Sequence, residues 1–531
     1  MPHQTPASCT AWPIERGGGD EQSTPGSLSD NLRNALSMLA ARWLEPLQQR
    51  ADSAADTDEW AASAERAITT AHGACPLIVV HGGKLNVHLA PTSAMLPFVS
   101  TLHCARVSTS GNLNWQAAMN SRLLTALRLI RLALERDEGN WPRSFSFRLC
   151  LDDICHGDPV TQSALPLLSM VACGELGRSS ILPFPQWMAT GTRQESADNL
   201  TAKEWFGTVG GARDTDLAVW HTELARRRAV REANLARWDA RLPVAVWRGT
   251  VHVEHGATNS EWTSSRRLVR TAINASNWRE QGRFALVWQK CEHPHLLDVR
   301  AKVTVGTADS HHAWVRSGLG MDDEWRRCAV AAEADEPKYI ELDEQARRFQ
   351  MAVNVEGASG WADRLRHLLL SGLVVLKQDS GVREWWEPML EPWVHYVPVA
   401  STLHNLSAAV LWVRQHGGEA QAMARAAAEL IEGVLSVEGL VHYTAALLHG
   451  YARLDARARR KQPKLNRPGW AARFSCDLLS APPGPAVPDD AEVPLACHFS
   501  SVGGDGDDGQ PRIDEAIGAL LVDHKKSVGS T

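Results

Sequence analysis

Apolar residues recur along this chain with two periods, and the switch between them marks its elements. Residues 351–355 form a short, mostly apolar run, the mark of a strand buried on both faces. Gly357, Ala358, Ser359 and Gly360 follow, and then Trp361, Leu365 and Leu368 recur at spacings of four and three, one face of a helix. Gly372 closes that helix, and residues 373–376 read as a second buried strand. Strand, glycine-rich loop, helix and strand make the unit of a parallel sheet with a helical crossover. The loop offers backbone N–H groups and a helix N-terminus to an anion, with Arg364 in the helix's first turns. These residues predict a phosphate-bearing ligand over the end of a sheet.

The same reading along the chain predicts a helix over 32–47 and a hairpin from 78–80 to 85–89, turning at Gly82-Gly83. Leu123, Leu127, Ile130 and Leu134 make a helical stripe closed by Gly139 and Pro142. Residues 145–151 alternate as a strand and end on Asp152-Asp153, at the strand end where α/β sheets collect their chemistry. Residues 181–187 read as a proline-punctuated loop, 216–238 as a long Arg-rich helix, and 244–247 as a buried strand stopping at Arg248-Gly249-Thr250. A helix is expected over 264–275, with Arg266, Arg267 and Arg270, and strands over 284–288 and 303–305. Helices follow over 403–416, 419–434 and 438–454. The chain thus divides into a disordered segment 1–28, an α/β half 29–238, a second α/β half 239–455, and a basic then acidic, mostly disordered tail 456–531.

Composition narrows the classes. The 531 residues are 44% hydrophobic and 22% charged, with a net charge of −6, which argues against a chain-wide nucleic-acid surface. No run approaches about 20 apolar residues, so no transmembrane segment is expected. The first residues lack a basic n-region before an apolar core, so no signal peptide is visible. The 10 Cys show no CxxC pair and leave the redox compartment open. Trp is frequent at 21, and most of these rings are expected in packing. No metal is expected. Asp214-Thr215-Asp216 sits where a helix cap would be, Cys291 to His295 and His311-His312 lack zinc spacing, and residues 505–509 lack the calcium-loop Glu.

The segment RFQMAVNVEGASGWADRL, then SGLVVLKQ, then EWWEPMLEPWVHYVPV, over residues 348–399, closely resembles the Rumi-type protein O-glucosyltransferases and fungal capsule-associated proteins of glycosyltransferase family 90. Trp247 to Thr250 is similar to that family's Phe-Arg-Gly-Ser element, ILPFPQW at 181–187 to its Asp-Ile-Leu-Tyr-Pro-Ala-Trp loop, and FRLCLDDIC to its strand carrying the catalytic aspartate. The resemblance implies a GT-B fold of two Rossmann-like domains facing a cleft. It also implies an inverting transfer of glucose or xylose from UDP-glucose or UDP-xylose to a protein or glycan hydroxyl, without a metal. It places Asp153 as the general base, with Asp152 as the neighbouring rival. On the donor side it points to Arg248, Gly249, Thr250, Gly357, Ser359, Gly360, Arg364 and Glu384. His395 and Trp393 read as structural. Family members work in the lumen of the endoplasmic reticulum or Golgi. The departures at Asp152, Ile154 and Cys155 keep a second reading open, a degenerate nucleotide-sugar or glycan-binding protein. A third is a partner-binding scaffold using the basic segment 457–467 and the acidic tail.

Overall fold

A computed structural model describes residues 28–54, 75–81, 84–89, 126–127, 129–136, 140–142, 144–150, 167–173, 181–185, 217–252, 257–262, 268–272, 276–304, 323–334, 340–357, 364–461, 472–476 and 497–500. It is a mixed α/β protein.

Helix α1 (Asp30–Ala54) buries Leu36, Leu39, Trp43 and Leu47 at helical spacing. Strands β1 (Leu77–His81) and β2 (Lys84–Leu89) form the expected hairpin, with Val80 opposite Leu85. Residues 129–136 are helical and bury Ile130 and Leu134. Strand β3 (Ser144–Cys150) pairs antiparallel with β1, and the disulfide Cys75–Cys150 staples its end to the residues before β1. Short strand β4 (Leu167–Ser169) runs parallel to β3 and is followed by β5 (Ala172–Cys173). The stretch expected as a loop at 181–187 begins with strand β6 (Ile181–Pro183), parallel to β4. Its proline is the strand's last residue, so no ladder inside the sheet is lost.

Helix α2 (Leu217–Ala236) leads into the second sheet. Strand β7 (Leu242–His252) is longer than its apolar run, so Arg248, Gly249 and Thr250 lie within the strand and not after it. Strands β8 (Ala257–Trp262) and β9 (Leu268–Ala272) form a two-stranded hairpin where a helix was expected; Arg270 lies in a strand, while Arg266 and Arg267 lie outside the described residues. The expected strand over 284–288 is instead helix α3 (Gly282–Glu292), whose run Phe284 to Val287 is fully buried on a helix rather than in a sheet. A short apolar run fits either element. Then come β10 (Leu297–Thr304), α4 (Asp323–Ala334), α5 (Leu342–Arg348), β11 (Phe349–Asn354), α6 (Arg364–Leu370), β12 (Val374–Gln378), β13 (Val382–Arg383) and β14 (Val397–Val399). A second disulfide, Cys291–Cys328, joins α3 to α4 and removes Cys291 from any metal set.

The second sheet is wholly parallel, in the order β10-β7-β11-β12-β14. Its strands alternate between two cores. Val246, Ala352 and Val375 face a cluster shared with the first sheet and α1; Ala245, Trp247, Met351, Val353, Val374 and Leu376 face a cluster shared with α3. Gly372, at φ +78°, ends α6 in the left-handed conformation a side chain resists. Helices α7 (Leu406–Gln415), α8 (Gly417–Val434) and α9 (Val437–Lys461) follow. Tyr443 of α9 donates to the Pro183 carbonyl at 3.0 Å, and Trp43 of α1 to that of Trp385 at 3.2 Å, so the two sheets share one continuous core. No single helix among the described residues is long and apolar enough to cross a membrane. Helices α8 and α9 pass together by length and composition but bend by 61°, and Ala427, Ile431, Val434, Leu447 and Leu448 are core residues.

Within the stretch 456–531, expected to be mostly disordered, three described segments have regular structure. Helix α9 continues to Lys461, and β15 (Ala472–Cys476) and β16 (Cys497–Ser500) extend the first sheet through β2, giving β16-β15-β2-β1-β3-β4-β6. Each is only four or five residues long and is set among Gly and Pro residues, which hid the strand pattern.

Candidate functional site at the end of the parallel sheet

Strand β7 sets the geometry. Alternation puts Trp247 and Gly249 on one face, and Trp247 is only 1% exposed. A Cβ on Gly249 would lie 2.6 Å from one Trp247 ring carbon and 3.1 Å from Nη2 of Arg364, so only glycine lets the ring lie against the strand. Arg364 is the first residue of α6. Its Nη1 donates to the Arg248 carbonyl, and its guanidinium lies 5.4 Å from the centre of the Trp247 ring. A second guanidinium approaches from the first turn of α3. Arg283 donates from Nη1 to the Thr250 carbonyl at 2.6 Å and from Nε to the Glu356 carbonyl at 3.0 Å, and lies 5.7 Å from the same ring. Burial, and then the charge of Arg364, push Arg283 down to about 9. Two cations, one aromatic face and the carbonyls at the carboxyl ends of β7 and β11 are thus gathered in one place.

The loop after β11 is fixed before it turns. The Glu356 N–H donates to Gln378 Oε1 at 2.9 Å, and Gln378 Nε2 donates to the Ser401 carbonyl at 2.6 Å, tying the ends of β11, β12 and β14 together. Gly357 is buried at the mouth of the glycine-rich segment. Asn354, the last residue of β11, is 8% exposed, and its Oδ1 has no hydrogen-bond partner among the described residues.

The structure brings Gly249, Thr250, Gly357 and Arg364 to one end of the sheet. The side chain of Arg248 goes elsewhere. It points to the opposite face of β7, donating to the Asp298 carbonyl at 2.6 Å and to Asp298 Oδ2 at 3.0 Å, and only its backbone carbonyl reaches Arg364. Burial alone would raise Asp298, but the hydrogen bond and charge of Arg248, and then Arg300, hold it below the usual carboxylate range. Glu384 is likewise drawn into packing. It is 1% exposed, accepts from Trp386 Nε1 at 3.0 Å and lies 3.7 Å from Nη1 of Arg366. Its own N–H donates to Glu387, whose other oxygen pairs with Lys377 at 3.0 Å. His395 is structural, as expected: its Nδ1 accepts from the Glu391 N–H at 2.9 Å, and burial pushes it down to about 4. Asp152, Asp153, Ser359 and Gly360 lie outside the described residues, as do Asp214, Asp216, His311, His312 and residues 505–509. Among the described residues no group of three or more His, Cys, Asp or Glu could hold a metal.

Sequence reasoning missed Arg283, Asn354 and Gln378. The signal for Arg283 was present, a cation at the head of an apolar run after Gly282, but it disappears when that run is read as a strand.

The chain matches the model of glycosyl transferase family 90 over residues 179–467, more than half its length, and it belongs to that family. This stretch contains the whole parallel sheet and the site at its end. Among curated relatives, human protein O-glucosyltransferase 3 is 34% identical over 105 residues, 20% of each chain. Zebrafish (Danio rerio) protein O-glucosyltransferase 2 is 34% identical over 108 residues, 20% of this chain and 21% of the relative. An O-glucosyltransferase rumi homolog of Anopheles gambiae is 30% identical over 132 residues, 24% and 33% of the two chains. The match spans about a fifth of the length of the first two relatives.

Proposed function

We propose that this chain is an inverting glycosyltransferase that moves glucose from UDP-glucose to a protein hydroxyl, on a GT-B-like frame whose parallel-sheet half holds the donor. The observation that carries this reading is Arg364. It stands at the head of the helix after the glycine-rich segment, beside Gly249 at the sheet's carboxyl end, inside the family-matched stretch. Family membership and relatives named as protein O-glucosyltransferases support the reaction class and a protein acceptor. UDP-xylose and a glycan acceptor are the alternatives the assay must separate. In the reaction, the Asp153 carboxylate takes the proton of the acceptor hydroxyl. The hydroxyl oxygen bonds to the anomeric carbon as the bond to UDP breaks on the other side, and UDP leaves with that electron pair. General-base help of this kind contributes roughly 10²–10⁴-fold. The guanidinium of Arg364 stabilises the charge that develops on the departing diphosphate. A fixed organic cation there supplies what a divalent metal would, so we propose turnover that resists chelators. Two disulfides, Cys75–Cys150 and Cys291–Cys328, support folding in an oxidising compartment such as the lumen of the secretory pathway.

The test is UDP release from UDP-glucose and UDP-xylose over folded protein acceptors and glycans, with and without chelator, for wild type, Asp153→Asn and Asp152→Asn. Loss of roughly 10²-fold or more in Asp153→Asn alone is expected. Loss in Asp152→Asn alone moves the base by one residue. Donor binding without turnover on any acceptor would identify a binding protein instead.

A further inference from the structure

We infer that the disulfide Cys291–Cys328 is a reduction-sensitive clip that holds α4 in place, and that opening it weakens the ligand site; the effect on the site rests on the nucleotide-sugar reading above. Two disulfides among the described residues differ in their surroundings. Cys75 and Cys150 are 1% and 0% exposed and pack with Leu167 in a small core of their own. Cys328 is buried as well, but Cys291, in the last turn of α3, is exposed. Exchange requires a thiolate to reach a sulfur, so exposed disulfides are the labile ones. The Cys291 end gives a reductant that access, and the buried pair gives it none.

Helix α4 depends on the clip more than α3 does. The described residues that α4 buries are small: Cys328, Ala329 and Ala332. By contrast, α3 sinks Phe284, Leu286 and Val287 fully into the core. A further tie to α4 is the ion pair of Arg279 with Glu324, but both are partly exposed, and pairs of that kind add little. A disulfide closing a span of 37 residues shifts the balance between docked and released α4 by roughly 30–1000-fold. Cutting it therefore frees α4 while α3 keeps its seat. Helix α4 packs on α3 and β10, and its buried residues share a core with Val299, Ala301 and Trp247. Releasing it lets water into the core that supports the Trp247 ring, against which Arg364 and Arg283 lie. The opening step is thiol–disulfide exchange with a dithiol reductant. One reductant thiolate bonds to Sγ of Cys291, the S–S bond breaks, and Sγ of Cys328 leaves with the electron pair. The second reductant thiol then displaces Cys291 from the mixed disulfide. The reductant ends as a disulfide, and the protons of its thiols pass to the two cysteines.

The experiment treats the oxidised full chain with increasing dithiothreitol under native conditions and then alkylates the free thiols. Trypsin releases Cys291 and Cys328 in the peptides 291–300 and 328–338, so mass spectrometry reads each bond separately. Labelling of Cys291 and Cys328 is expected at a reductant concentration at least roughly tenfold below that needed for Cys75 and Cys150. Over the same range, hydrogen exchange should rise in residues 323–334 and stay slow in 284–287, and calorimetric titration should show UDP binding severalfold more weakly. Oxidised glutathione should restore both. The double variant Cys291→Ser with Cys328→Ser should match reduced wild type and ignore dithiothreitol; if it does not fold, the reduced wild type supplies the same comparison. Opening of both disulfides at one concentration would overturn the inference, and so would an opened clip with α4 still protected. An opened clip and a released α4 with unchanged UDP affinity would overturn the link to the site and leave the donor reading intact. Oxidised wild type that binds no UDP overturns that reading, while labelling and exchange still decide the clip.

Discussion

Two groups of charged residues lie inside the family-matched segment, and they are treated in opposite ways. At the end of the parallel sheet, Arg283 and Arg364 stand together on Trp247, oriented by carbonyls. Around Glu384, every charge has an opposite: Arg366 faces Glu384, Lys377 faces Glu387, and Trp386 donates to Glu384. The second group is closed on itself and buried; in the first, Arg283 is held by carbonyls and has no carboxylate partner among the described residues. Charge that a fold neutralises internally holds the fold, whereas charge it orients and leaves is available to a ligand.

Breaking the closed group should give the largest effect on stability. Arg366→Met leaves Glu384 buried without its cation and should cost about 3–5 kcal/mol, read by denaturant unfolding. The double variant Arg366→Met with Glu384→Leu should recover much of that loss. A single variant near wild-type stability would mean the pair is not a structural unit. Next is His395, whose Nδ1 must be unprotonated to accept from Glu391. Its folded pKa of about 4 lies below the unfolded value near 6.5, so the unfolded chain binds the extra proton between them. Its contribution is full above about pH 6.5 and is lost as pH falls towards 4, by roughly 3 kcal/mol. His395→Asn should remove one proton from the slope of stability against pH in that window, and an unchanged slope would refute the assignment. The smallest stability effect is expected at the open group. Gly249→Ala pushes a methyl against the Trp247 ring and should cost about 1–3 kcal/mol. It should also weaken UDP binding more than its stability loss explains. A variant that binds UDP like wild type would show that the ring and Arg364 can move independently of the site.

The parallel unit from β11 to β12 was legible because its apolar runs are bounded by glycines, and Gly372 takes the conformation its position called for. The hairpin β1–β2 and helices α1, α2, α8 and α9 were legible for similar reasons of period. Strand β9 was not, because three arginines at 266, 267 and 270 imitate helical spacing. The site was half legible. Arg364 and Gly249 could be found from the loop and the Trp-Arg-Gly-Thr element. The direction of Arg248 depended on strand alternation, which becomes visible only when β7 is known to run on to His252. Glu384 has the composition of a ligand residue, but a buried arginine from another element claims it.

The completion of the first sheet by β15 has a consequence for synthesis. β2 is made early, yet the strand that covers its outer edge lies roughly 380 residues later, which at 5–20 residues per second is about 20–80 s of elongation. For that interval the hairpin edge has no native partner from its own chain, and an uncovered edge is a template for pairing with another. During synthesis that edge stays open to pairing until residues 472–476 have been made.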